Sequence, residues 1–170
     1  MQKSRPQTRG WTDVKAPAAW ETGFHVVLSV SPNEEDCASL ERIFKCGWTV
    51  VRSATVASAL SMLWEMPIPI VMCDSEIKPG TWGEMLEHIS LLPDPPLSIV
   101  TSRLADERLW AEALNLGAWD VLAKPFATDE VIRIVSIAWQ HWQDRHGVYR
   151  SRTRQRKAAT GAEEMAATGT

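Results

Sequence analysis

Phe24-His25-Val26-Val27-Leu28-Ser29-Val30 is a β-branched apolar run of strand length, and Ser31-Pro32-Asn33-Glu34 follows it directly. The second stretch reads as a capping box with proline at the first helical position, so the spacing predicts a strand that passes straight into a helix. Cys37, Leu40, Ile43 and Phe44 then recur on one face until Gly47. The same unit repeats outward from there. Trp48 to Arg52 is a second short strand, and Thr55 caps a helix carrying Val56, Ala59, Leu60, Leu63 and Trp64 up to Pro67. Ile68 to Cys73 is a third strand, followed by a Lys78-Pro79-Gly80 turn and a helix over Thr81 to Leu92 with Trp82, Met85, Leu86 and Ile89 on one face. Leu97 to Val100 is a fourth strand. Its helix runs from Asp106 to Leu116, with Leu109, Ala113, Leu114 and Leu116 expected inward and Gly117 as its stop. Asp120 to Ala123 is a fifth strand, and a long amphipathic helix from Thr128 sets Val131, Ile134, Val135, Ala138 and Trp142 on one stripe.

Each connection is too long for a hairpin and is filled by a helix, so the strands pair in parallel. Apolar runs of this kind are covered on both faces, which predicts an α/β protein with a five-stranded parallel doubly wound sheet. Ligands of such sheets sit outside the carboxyl ends of the strands, at the switch point in strand order. The residues there are Ser31, Asp74, Thr101, Ser102 and Lys124. One carboxylate, a hydroxyl pair and one ammonium suit phosphoryl chemistry, the carboxylate as nucleophile and the others as holders of phosphate oxygens. A plain ion pair between Lys124 and Asp74 is the other reading of the same residues.

Composition bounds the function. The chain has 170 residues and a net charge of −3, but that charge is unevenly spread. Residues 1–23 carry +2, residues 24–144 carry −9, the stretch Arg145 to Lys157 carries +6 and the remainder −2. An acidic body repels nucleic acid, and the basic stretch has only Tyr149 as an interleaved aromatic, so specific nucleic-acid reading is not expected. No apolar run is long enough to cross a bilayer, and no secretory leader is evident, so a cytoplasmic protein is expected. Three widely spaced cysteines, Cys37, Cys46 and Cys73, fit neither a disulfide framework nor a metal site. The division expected is a flexible tail over residues 1–23, a domain over 24–143, and a basic then low-complexity tail over 144–170.

The segment from Phe24 to Trp142 resembles a response regulator receiver domain, the phospho-accepting module of two-component signalling. Asp74, ending Ile70-Val71-Met72-Cys73-Asp74, matches the phosphoacceptor. Thr101 or Ser102 matches the hydroxyl residue at the end of the fourth strand. Lys124-Pro125-Phe126 matches a Lys-Pro-Phe in which the lysine contacts the phosphoryl group and the peptide bond before proline is commonly cis. Asn115-Leu116-Gly117-Ala118-Trp119-Asp120 is similar to the family's Gly-Ala turn before the fifth strand.

The resemblance implies a flavodoxin-like sheet of order 2-1-3-4-5. It also implies a histidine kinase or phosphotransfer protein as donor, a downstream protein partner, homodimerisation through the last helices, and a signalling role without enzymatic turnover. A stand-alone receiver accepting phosphate on Asp74 and a phosphorylation-independent docking module are both compatible with it. A flavin protein on a similar sheet is disfavoured, because no phosphate-cradling loop follows the first strand.

Two departures stand out. The family ends its first strand with an acidic pair that binds Mg²⁺ together with the phosphoacceptor, whereas here the place reads Ser31-Pro32-Asn33. Glu34, Glu35 and Asp36 follow, and read as charges favourable to the first turn of a helix. Asp74 and Glu76 are the remaining candidates for a degenerate Mg²⁺ site. The second departure is Val121 at the aromatic switch position, with Trp119 two residues earlier. Among the nine tryptophans, Trp82 is read as cover for the third helix, while Trp139 and Trp142, with Ile132 and Ile137, give the last helix a partner surface. His25, His88, His141 and His146 share no metal spacing and read as surface groups.

Overall fold

The computed structural model describes residues 25–45 and 47–146. Cys46, the predicted tail over residues 1–23 and all but the first three residues of the predicted tail over 144–170 lie outside the described residues. The elements are β1 (His25–Val30), α1 (Glu34–Ile43), β2 (Trp48–Ser53), α2 (Val56–Glu65), β3 (Ile70–Asp74), α3 (Trp82–Ser90), β4 (Leu97–Ser102), α4 (Glu107–Asn115) and β5 (Asp120–Ala123). A last helix, α5, covers residues 128–146. All strand pairs are parallel, as the connection lengths predict, and the order is β2-β1-β3-β4-β5, as the family resemblance implies. The chain moves one way from β1 to β2 and the other way from β3 onward, so the switch point lies between β1 and β3.

Alternation along the strands divides the core. Leu28, Val30, Val71 and Cys73 face α2 and α3, meeting Ala59, Leu63, Met85 and Ile89. Val27, Ile70, Met72, Ile99 and Leu122 face the opposite side, where Leu40 and Phe44 of α1 and Val131, Ile134, Val135 and Ala138 of α5 close over them. A third cluster sets Val100 and Val121 against Leu86 and Ala113. Helices therefore cover both faces, and the strand interiors are mainly apolar, with Ser29 and Ser98 buried among them.

Local chemistry starts and stops each helix. Thr55 caps α2 and Asp106 caps α4. Thr81 and Glu84 form a reciprocal capping box on α3. Gly117 takes φ +92 after α4, a left-handed conformation that a side chain would strain. The Lys124-Pro125 peptide is cis.

Four local expectations are corrected. The cap of α1 is Asn33, whose side chain accepts from the Glu35 N–H, and the helix begins at Glu34. Ser31 is not available to cap, because its hydroxyl accepts from the Asn33 N–H and donates to Asp74. In α4 only Ala113 is buried, and Leu114 and Leu116 are 47% and 41% exposed, since this short helix meets only the β5 side of the sheet. Trp139 and Trp142 stack on each other and pack on the cluster beneath α1 and α5, so the exposed apolar groups of the last helix are Ile132 and Ile137 instead. His25 and His146 are also not free surface groups: His25 lies between Trp48 and Trp139, and His146 stacks on Trp142 while meeting Asp94 at 2.5 Å. Trp82 covers α3 as expected, packed against two clusters.

Leu122 is fully buried in the middle of the α1/α5 face. Leu122→Ala is expected to cost about 2–5 kcal/mol, seen as a lower urea midpoint at unchanged slope.

Candidate functional site

Parallel strands bring their carboxyl ends to one edge, and the register does the rest. Asp74, the last residue of β3, stands beside Thr101 of β4, and Ser102 stands beside Ala123, which precedes Lys124. Ser31 follows β1 on the other side of Asp74. Five candidates predicted from sequence are thus gathered at the switch point. Thr101 and Ser102 close β4 from within rather than following it.

The centre of the site is an ammonium between two carboxylates. Lys124 Nζ lies 2.7 Å from Asp74 Oδ2 and 2.6 Å from Asp36 Oδ2, and the lysine side chain is 2% exposed. Ser31 Oγ donates to the same Asp74 Oδ2 at 2.9 Å, and the backbone N–H of Glu76 donates to Oδ1 at 3.1 Å. Arg103, half exposed, reaches Asp36 Oδ1 at 3.5 Å. Each of the four carboxylate oxygens therefore has a donor.

Burial alone pushes the Asp74 carboxyl upward, but hydrogen bonds from Lys124, Glu76 N–H and Ser31, with the lysine charge, outweigh it and hold the group below the usual carboxylate value. Asp74 is accordingly a carboxylate at neutral pH. Next to it, burial and the Asp74 charge push the Cys73 thiol up to about 12, so it stays protonated and takes no nucleophilic part.

The hydroxyl candidates differ. Thr101 Oγ1 donates to the Cys73 carbonyl at 3.5 Å, beside Asp74, whereas Ser102 Oγ accepts from the Leu104 N–H and serves the turn. Glu76 is exposed and meets Asp74 through its backbone. Val121, at the aromatic switch position, is buried against α3 and α4, and Trp119 packs on the opposite cluster with His141.

Asp36 is the member that sequence reasoning assigned to the helix dipole alone. A signal was present, because Asp36 stands four residues before Leu40 and seven before Ile43, on the stripe that packs on the sheet. A carboxylate there requires a buried partner.

The residues were also tested against the Mg²⁺ that the family resemblance implies. Mg²⁺ demands six oxygen ligands in octahedral array. A hydroxyl and a proline stand where the acidic pair belongs, and an ammonium lies against the carboxylate that remains. Among the described residues no group of three or more His, Cys, Asp or Glu side chains converges as metal ligands. The residues do not fit the ion.

Such a site on a doubly wound sheet of this order defines a receiver-type fold. Comparison with solved structures agrees. The chain superposes on the signal receiver domain of an HD domain-containing protein from Pseudomonas fluorescens with a TM-score of 0.68, at 19% identity over 74% of this chain and 93% of that one. It superposes on a response regulator receiver domain protein from Methanospirillum hungatei with a TM-score of 0.64, at 18% identity over 72% and 98%. A Francisella response regulator receiver domain gives 0.64 at 19% identity over 69% and 98%. No family model matches. In sequence the chain is 33% identical over 121 residues to the C4-dicarboxylate transport transcriptional regulatory protein DctD of Rhizobium meliloti, which is 70% of this chain but 25% of that protein. The chain thus spans about a quarter of that relative's length. It has the fold of response regulator receiver domains.

Two outcomes are expected from the electrostatics. Because the folded-state pKa of Asp74 lies below its unfolded value of about 3.9, its stabilisation is complete above that value and is lost as pH falls through the lower folded one. Acid titration of stability should show this loss below about pH 4 and a flatter acid limb in Asp74→Asn. Lys124→Met strands two buried carboxylates and is expected to cost about 3–5 kcal/mol at neutral pH, measured by denaturant unfolding.

Proposed function

We propose that this domain is a receiver in two-component phosphorelay signalling, with Asp74 as the phosphoacceptor. The observation that carries the reading is the environment of Asp74: an ionised, mostly buried carboxylate at the switch point, contacted by an ammonium and flanked by a threonine hydroxyl. In the transfer an Asp74 oxygen attacks phosphorus, a new O–P bond forms, and the bond from phosphorus to the donor group breaks with its electron pair leaving on that group. Lys124 would then neutralise phosphoryl charge, and Thr101 is the better placed of the two hydroxyls to receive a phosphoryl oxygen. A histidine kinase or phosphotransfer protein would be the physiological donor. A downstream protein would read the altered surface, and the exposed Leu104, Trp110, Leu114, Ile132 and Ile137 on and around α4 and α5 offer it apolar contacts. The same face would serve a homodimer.

A second reading, a docking module that takes no phosphate, is favoured by Ser31 in place of the acidic pair. Intact-mass measurement after incubation with acetyl phosphate separates the two. One added phosphoryl group on the wild type, absent in Asp74→Asn, is expected. No uptake with Mg²⁺, with chelator or from a kinase would establish the docking reading instead.

A further inference from the structure

The acidic pair is missing, yet the pocket still holds two carboxylates, because Asp36 enters it from the first turn of α1. We propose that Lys124 is the pocket's resident cation: its ammonium, fixed between Asp36 and Asp74, takes the electrostatic place of a divalent ion, and the pocket binds no Mg²⁺.

Charge and coordination both support this. Asp36, Asp74, Lys124 and Arg103 carry two charges of each sign, so the cluster is neutral as it stands. A dication entering beside the ammonium would leave an excess of positive charge in a region where the lysine side chain is 2% exposed. A dication displacing it would strand the ammonium away from both carboxylates and from water. Coordination is equally closed, since every carboxylate oxygen already accepts a hydrogen bond, two of them from Lys124. Asp36 is a positioning residue in this arrangement. It holds the far side of the ammonium, so that Lys124 approaches Asp74 from a fixed direction with a second counter-charge behind it.

The inference concerns the pocket of the proposed phosphoacceptor but needs no phosphorylation, and its test uses no phosphodonor. The wild-type chain is titrated with MgCl₂ by calorimetry, and its thermal unfolding midpoint is compared in millimolar Mg²⁺ and in EDTA. No binding heat and no shift are expected, and saturable binding would overturn the proposal. Lys124→Ala and the bulkier Lys124→Gln are measured in parallel. Removing the ammonium leaves two facing carboxylates, so each variant is expected to gain a Mg²⁺-dependent upward shift of its midpoint, or to fold only when Mg²⁺ is added. Adding Asp36→Asn should remove that gain. Lysine variants that stay indifferent to Mg²⁺, or stay unfolded with it, would show that something other than the ammonium closes the pocket.

Discussion

The contact between Lys124 and its two carboxylates is the constraint to which the upper edge of the sheet is built. A lysine side chain with 2% exposure needs opposite charge and hydrogen bonds in place of its lost hydration. Those partners come from two elements that no local interaction brings to the lysine: Asp36 lies 88 residues before Lys124, and Asp74 arrives on the neighbour of the neighbouring strand. Sheet order, the entry angle of α1 and the turn after β5 must all be correct before the ammonium is satisfied. An ion pair of this kind adds little net stability over a well-packed apolar substitute, but it penalises misregistered alternatives strongly, because each of them leaves a buried charge alone.

The apolar layers beneath supply the driving force. The α1/α5 layer and the α2/α3 layer sandwich the central strands β1, β3 and β4, whose burial is nearly complete, and each apolar side chain they hide contributes on the order of 1.5–3 kcal/mol before conformational entropy is counted. The aromatic column of His25, Trp48, Trp139 and Trp142 extends that layer around the β2 edge. The His146–Asp94 contact joins the far end of α5 to the segment before β4. Tryptophans that look surplus in the sequence are therefore the means by which a long last helix is fastened to the sheet. The apolar surface they leave uncovered on α5, Ile132 and Ile137, is much smaller.

Much of the fold is legible in the sequence because its elements announce themselves locally. Strand-length β-branched runs, Thr55, Thr81 and Asp106 as caps, and Gly117 as a stop are all signals within a few residues of the feature they specify. Asp74, Thr101, Ser102 and Lys124 are legible for a different reason, since a parallel sheet puts strand ends together regardless of side chain. Three features were hidden, each for a physical reason. Ser31 has the same composition whether it caps a helix or hydrogen-bonds to Asp74, and only the tertiary position of Asp74 decides. Leu114 and Leu116 obey helical periodicity, but α4 lies at the sheet edge, where there is too little strand surface to bury them. Asp36 is consistent with a favourable helix N-terminus and is drawn into the site only because α1 packs with that face inward.

The position of Asp36 bears on how charge is balanced at the carboxyl edge of this sheet. An acidic pair at the end of β1 places negative charge beside the acceptor and requires a dication to offset it. Here a hydroxyl stands at the end of β1, and a carboxylate lies a turn further along, against the lysine. With one carboxylate on each side of the ammonium and Arg103 on Asp36, the charges of the cluster are balanced by its own side chains. Asp74 is held as a carboxylate with two donors on one oxygen, because Lys124 and Ser31 both address Oδ2. The environment of Asp74 therefore joins the ends of β3 and β5 to the segment between β1 and α1, since Lys124 and Ser31 meet at the same carboxylate oxygen.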